Sequence, residues 1–281
     1  MPSEFVRQRL IAHVRGVFNE EGQQPVPPSD AAWFAKDTPI RLVHADIVGM
    51  MVGGVRGLLL QMLHPHALQG VLDYSDFRAD MHGRLRRTAR FIAVTTFGHR
   101  DEAQAAVDRV NRIHQSVAGT LPGGAAYRAT DPRVLAWVHV VEAQSFLAGY
   151  QRYVRPRLTG AERDRYFDQF ALVADKLGAD PVPRSAAEAD AIFRDLRSDL
   201  ATSAKTREVA RLVLSQNTPG TPAIVQRMIM AEAVALLPPF ARDMLGLDRS
   251  LLALPARVGT AGAARTLRWA FRQGYRTSNP D

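Results

Sequence analysis

Residues 101–119 read Asp101-Glu-Ala-Gln-Ala-Ala-Val107-Asp-Arg-Val110-Asn-Arg-Ile-His114-Gln-Ser-Val117-Ala-Gly119. Val107, Val110, His114 and Val117 recur at helical spacing, so one face of a helix carries all four. Asp101 is placed to cap that helix and Gly119 to end it. A histidine within an aliphatic stripe brings two nitrogens that need partners once buried. A metal on one nitrogen and a carbonyl or carboxylate on the other satisfies both. Hydrogen bonds to backbone in a closed core do so equally well, and the stripe alone leaves both readings open.

Working outward, the same period governs nearly the whole chain. No segment alternates apolar and polar residues for long, and no Asn-Gly or Asp-Gly hairpin turn occurs. The pattern predicts helices over 4–20, 40–63 (stopped by Pro65), about 83–96, 131–153, 159–178, 186–200, 206–214, 222–237 and 261–271. Asp131-Pro132 and Ser185 with Glu188 are N-terminal signals. Residues 70–80 read as a loop. Gln23 to Pro28 reads as a proline-rich linker, with Trp33 and Phe34 anchoring the segment after it. Gly53, Gly54 and Gly57 fall inside a helix, where each costs roughly 1 kcal/mol against alanine. Such glycines admit the close approach of another backbone or of a flat ligand. About ten helices, short connections and no internal repeat predict an all-α fold. Residues 1–30 form an N-terminal helix and linker, and 31–281 a single multi-helix domain.

Composition narrows the chemistry. Of 281 residues 46% are hydrophobic, enough for a sizeable core, and none is cysteine. Disulfides, thiolate nucleophiles, iron–sulfur clusters and thiolate-ligated haem are thereby excluded. The net charge of +8 is dominated by arginine, densest at Arg84, Arg86, Arg87 and Arg90 and again at Arg265, Arg268, Arg272 and Arg276. Such a balance suits nucleic acid, anionic lipid or an anionic cofactor, and an arginine-rich proteome produces it with no binding role. Residues 1–22 are charged throughout and carry no secretory h-region. The most apolar window, Ile47 to Leu63, contains Arg56 and is short for a membrane span. The expectation is a cytoplasmic protein without a transmembrane span, with peripheral membrane contact left open.

Most familiar catalytic motifs are absent. There is no His-Glu-x-x-His, no Glu-x-x-His, no Gly-x-Ser-x-Gly elbow and no Walker sequence. His64-Pro65-His66 offers two metal ligands, though capping or surface placement suits it better. His139 and Glu142 share a helix face, and a hydrogen-bonded core pair is favoured over a metal site. Arg84 and Thr88 share one face of their helix, with Arg87 beside them. Arginine stays charged and donates several hydrogen bonds, which suits a propionate or a bound oxygen species. A solvated helix face explains the same arginines.

Several stretches together carry a resemblance. They are Val55-Arg-Gly-Leu-Leu-Leu-Gln-Met-Leu-His-Pro65, Val71-Leu-Asp-Tyr-Ser-Asp-Phe77, Arg84-x-x-x-Thr88, His114, Asp131-Pro132-x-x-Leu-x-Trp137-Val-His139 and Leu236-Leu-Pro-Pro-Phe-Ala-Arg242. Their order and spacing over residues 40–250 resemble the family that joins the fungal MpaB oxygenase with the bacterial rubber oxygenase, latex clearing protein. The resemblance implies a globin-like helical core holding one haem b, with His114 as the proximal iron ligand. It places Arg84 and Thr88 in the haem pocket. The implied activity is that of an oxidoreductase, an oxygenase using dioxygen on an apolar small molecule, with electrons from a donor. Two features depart from the rubber-cleaving members. Their iron-reaching lysine corresponds here to Arg87. Their carboxylate base has no clear match, Asp73 and Asp76 being only nearby. Both departures argue against rubber cleavage. Two alternatives stand beside this reading. One is a haem- or gas-binding protein without turnover. The other is a helical interaction or nucleic-acid module, although no aromatics interleave the arginine clusters, so no nucleic acid is expected. The sequence does not fix the oligomeric state.

Overall fold

The computed structural model describes residues 24–75, 80–154, 157–216, 221–247 and 258–262. The helix expected over 4–20, most of that over 261–271, the second arginine cluster and Asp76 lie outside these residues. The described residues are all-α apart from one short hairpin. The helices are α1 (Pro39–Ala45), α2 (Ile47–Gln61), α3 (Pro65–Tyr74), α4 (Met81–Phe97), α5 (Arg100–Ser116), α6 (Pro132–Tyr153), α7 (Gly160–Leu177), α8 (Ala186–Asp195), α9 (Ala204–Leu214), α10 (Ala223–Ala235) and α11 (Pro239–Leu245).

The centre of the molecule is α6. Asp131 caps it by accepting a hydrogen bond from the Arg133 N–H at 2.9 Å, and Pro132 occupies its first turn, as the sequence predicts. Its apolar residues are buried on every side, which is how a helix hydrophobic all round is accommodated. One flank, with Trp137, Val141 and Tyr153, packs into a core shared with α2, α9, α10 and α11. The other, with Phe146, Leu147 and Tyr150, packs into a second core with Phe34, Ile40, Ile92, Tyr166, Phe167 and Phe170.

The close seam between α2 and α6 follows from glycine. A Cβ added at Gly53 would lie 2.6 Å from the Ser145 carbonyl oxygen, and one at Gly149 would run into the Gly49 carbonyl oxygen. The two backbones therefore touch, and any side chain at either position would separate them. Gly54 differs: a Cβ there meets nothing within 4 Å.

Three expectations are corrected. The helix expected over 40–63 breaks at Asp46, with an 87° bend between α1 and α2. Asp46 leaves helical geometry and accepts a hydrogen bond from the Gly49 N–H at 2.8 Å, so an N-cap interrupts an otherwise continuous apolar run. Residues 70–74, expected in a loop, instead complete α3, a helix that Pro65 opens at its first position. Finally, α5 stops at Ser116, with His99 rather than Asp101 at its N-cap. Gly119 lies in an antiparallel hairpin, β1 (Ala118–Thr120) with β2 (Ala126–Arg128). The hairpin turns through Leu121-Pro-Gly-Gly-Ala125, with Gly124 at a φ of +88°.

The proline-rich segment at 24–29 is docked rather than free. The Ser29 N–H donates to the Phe97 carbonyl at 2.8 Å, and Arg90 and Arg41 donate to the Gln24 and Ser29 carbonyls. Phe34 is buried and Trp33 lies under the Lys176 ammonium, so both anchor the segment as expected. Among the described residues no single helix is long and apolar enough to cross a membrane. Two bent pairs, α1 with α2 and α10 with α11, pass by length and composition only.

Candidate active site

The inward stripe of α5 is Ala103, Val107, Val110 and His114. It packs α5 against α4, with α7 on its other side. His114 ends the stripe. Its Nδ1 is completely enclosed and has no hydrogen-bond partner. Among the described residues none bonds its other ring nitrogen either, so both remain available. Among the described residues no backbone group bonds the enclosed Nδ1 of this imidazole. Burial, and next the charge of Arg84, hold the His114 imidazole below its usual pKa, so the ring is neutral near pH 7.

Arg84 stands one turn into α4, whose N-terminus is capped by Asp80 accepting the Gly83 N–H at 3.0 Å. The guanidinium is drawn inward, and its hydrogen bond to the Ser75 hydroxyl is long, 3.5 Å. Desolvation lowers its pKa, the neighbouring Arg87 lowers it further, and Glu142 opposes both. Arg84 and His114 are thus brought into one electrostatic neighbourhood from two helices. Arg87 is not: it is exposed and paired with the Asp80 carboxylate at 3.0 Å. Thr88, one turn beyond Arg84, is also exposed.

A carboxyl from the central helix completes this neighbourhood. Glu142 lies deep in the protein, yet the residue keeps some accessible surface. It forms no hydrogen bond with His139, which corrects the core pair favoured on sequence. His139 instead sits edge-on to Phe170, ring centres 4.8 Å apart, with its Nε2 enclosed and unpartnered. Desolvation pushes the Glu142 carboxyl up to about 7, against the pull of Arg84, and pushes the His139 imidazole down to about 4. A signal for Glu142 was present in the sequence. A carboxylate on a helix apolar all round has no solvated face to occupy, so it had to face a cavity or a partner.

The remaining candidates separate from this group. His64 stands at the N-cap position of α3, buried and without a side-chain cap hydrogen bond, and His66 is half-buried. Their rings meet edge-on at 5.3 Å, and the Nδ1 of each is enclosed without a partner. Burial is the main reason the His64 imidazole falls to about 4. Asp73 is held by Tyr127, whose hydroxyl donates to it at 2.5 Å, fastening α3 to β2. The helices α2 and α10 pack against each other, with residues of both in one buried core. Among the described residues no cluster of three or more His, Asp or Glu is arranged to chelate a metal ion. A porphyrin iron makes no such demand, since the protein need supply only an axial nitrogen. An enclosed neutral imidazole with unbonded nitrogens, beside a buried guanidinium suited to a propionate, fits that group.

No curated protein and no solved structure matches the chain. A family model does, over residues 41–269, a range that holds Arg84, Thr88, His114 and Glu142 alike. The chain belongs to the family described as ER-bound oxygenase mpaB/B'/rubber oxygenase, catalytic domain.

Proposed function

We propose that this oxygenase-family chain is a haem b-dependent enzyme acting on an apolar small molecule, with His114 as the proximal iron ligand. One observation carries the reading: His114 is a neutral imidazole inside the fold with neither nitrogen bonded among the described residues. Leaving a buried polar atom without a partner costs about 1–3 kcal/mol, and a metal bond on one nitrogen removes part of that cost. The neutral ring is also the form that binds metal, so no proton need be displaced near pH 7.

Haem, when bound, supplies activation of dioxygen using electrons from a donor. The chain's own residues supply the setting. The α5 stripe fixes His114, because Val107 and Ala103 behind it are fully buried. Arg84 keeps a permanent positive charge in a desolvated place, where it attracts a propionate or another anionic oxygen more strongly than at the surface. Thr88 offers a hydroxyl that does not ionise, and Arg87 a second cation at the exposed edge of α4. The open side of Gly54 leaves room along an otherwise apolar helix for an apolar molecule.

Purified protein reconstituted with haem should show a Soret band, and His114→Ala should lose it while keeping its helical circular dichroism. Full haem occupancy in that variant would refute the ligand assignment. Substrate-stimulated oxygen uptake in the presence of reductant distinguishes turnover from gas binding alone.

A further inference from the structure

Beside Arg84 on α4 and His114 on α5, the fold brings in a carboxyl from a third element, the central helix. We propose that Glu142 on α6 is the acid–base group of this site, passing a proton to an acceptor atom of the molecule bound beside Arg84 and taking one back from solvent. The inference rests on the proposed reading of the site as an oxygenase pocket.

Three observations converge. First, Glu142 keeps some accessible surface and forms no hydrogen bond or closed ion pair among the described residues, although the Arg84 charge reaches it from α4. The two groups interact through their charges and not through a hydrogen bond. Second, α2 passes this part of α6 with glycine at two successive turns. A Cβ added at Gly57 would lie 3.7 Å from the Glu142 Cα, and Gly54, one turn earlier, faces open space. Third, several polar groups on the helices packed around α6 are committed elsewhere. On α7 the Tyr166 hydroxyl donates to the Ala143 carbonyl at 3.1 Å. On α2 the Arg56 guanidinium donates to the Ser145 hydroxyl and the Leu236 carbonyl. On α1 the His44 Nδ1 is bonded to Thr96 at 2.8 Å. On α5 His114 is assigned to iron, and on α6 itself His139 is buried and neutral.

Arg84 cannot release a proton near neutrality, and Thr88 does not ionise. Glu142 can both give and take one, since burial lifts its carboxyl to about 7. When it gives up the proton, its O–H bond breaks, an O–H bond forms on the bound molecule, and the Arg84 charge holds the carboxylate left behind.

The full-length chain tests this in two ways. In haem-free protein, infrared difference spectra taken on either side of neutrality should show a protonated-carboxyl band that disappears as pH rises. Glu142→Gln should abolish that band. In haem-loaded ferric protein the probe is cyanide, which arrives as hydrogen cyanide and must lose its proton to bind. Positioned acid–base groups typically contribute about 10²–10⁴-fold. Cyanide association should therefore slow at least about 100-fold in Glu142→Gln, with an unchanged Soret band, and Glu142→Asp should recover part of the rate. Equal rates in wild type and Glu142→Gln overturn the proposal. Absence of a wild-type Soret band defeats the haem reading separately. The infrared titration then decides alone: a carboxyl exchanging its proton near neutrality upholds Glu142, and one ionised throughout overturns it.

Discussion

Gly53 and Gly54 are neighbours on α2 in opposite surroundings, and alanine at each should move stability in opposite directions. A methyl at Gly53 would lie 2.6 Å from the Ser145 carbonyl oxygen and 2.9 Å from the Phe146 Cα. Both are backbone atoms of the buried central helix, so no side chain can rotate away and α2 must shift. Overpacking of that kind costs about 1–3 kcal/mol, and a contact this short against backbone belongs in the upper half of that range. Replacing glycine by alanine in a helix interior returns about 1 kcal/mol. The net expectation for Gly53→Ala is a loss of about 1–2 kcal/mol. At Gly54 the same methyl meets nothing within 4 Å, so only the gain remains, about 0.4–1 kcal/mol. The two variants should differ by about 2 kcal/mol, or roughly 4–8 °C in Tm for a chain of this size. Urea unfolding followed by far-ultraviolet circular dichroism measures both, with unchanged slope as the check that unfolding stays comparable. If Gly53→Ala proved as stable as Gly54→Ala, the backbone contact between α2 and α6 would be wrong, and with it the geometry that places Glu142.

Other perturbations probe other parts of the molecule. Glu232 is fully buried and accepts from Arg152 at 3.0 Å and from the Tyr153 hydroxyl at 2.8 Å. Glu232→Ala should cost about 3 kcal/mol in the same assay, the lower end for a broken buried pair because Arg152 keeps some access to water. Arg87→Ala removes only an exposed pair and should change stability by less than about 1 kcal/mol. The pH dependence carries a sign. His44, His64 and His139 are held near 3, 4 and 4 by burial, below their unfolded value of 6.5. The unfolded chain binds more protons than the native one between those limits, so their contribution is complete above pH 6.5 and fades as pH falls toward 4. Glu142 acts oppositely, since its raised pKa makes the native state bind the extra proton between 4.5 and about 7. Three groups outweigh one, so the urea midpoint should fall on acidification from pH 6.5 to pH 4.5. That fall should be steeper in Glu142→Gln. A midpoint that rises over this range would contradict the buried, neutral histidines.

Much of this protein was legible before any coordinates. Helical period, the absence of strand alternation and the caps at Asp131 and Ser185 depend on residues close together in the chain. Local hydrogen bonds and side-chain direction settle such features, and the structure bears them out. The place of His114 on the inward face of α5 follows from the same spacing. Asp46 was an N-cap signal in plain view, masked by apolar residues on both sides of it. Pairing decided the rest. Gly53 and Gly54 are chemically identical, and only the arrival of α6 at one and not the other gives them different roles. His139 and Glu142 stand at helical spacing in sequence, yet the helices around them turn one toward Phe170 and the other toward Arg84. Composition and periodicity fixed which side chains had to be inside. Which buried polar groups face one another depends on how helices far apart in sequence cross, and no local pattern encodes that.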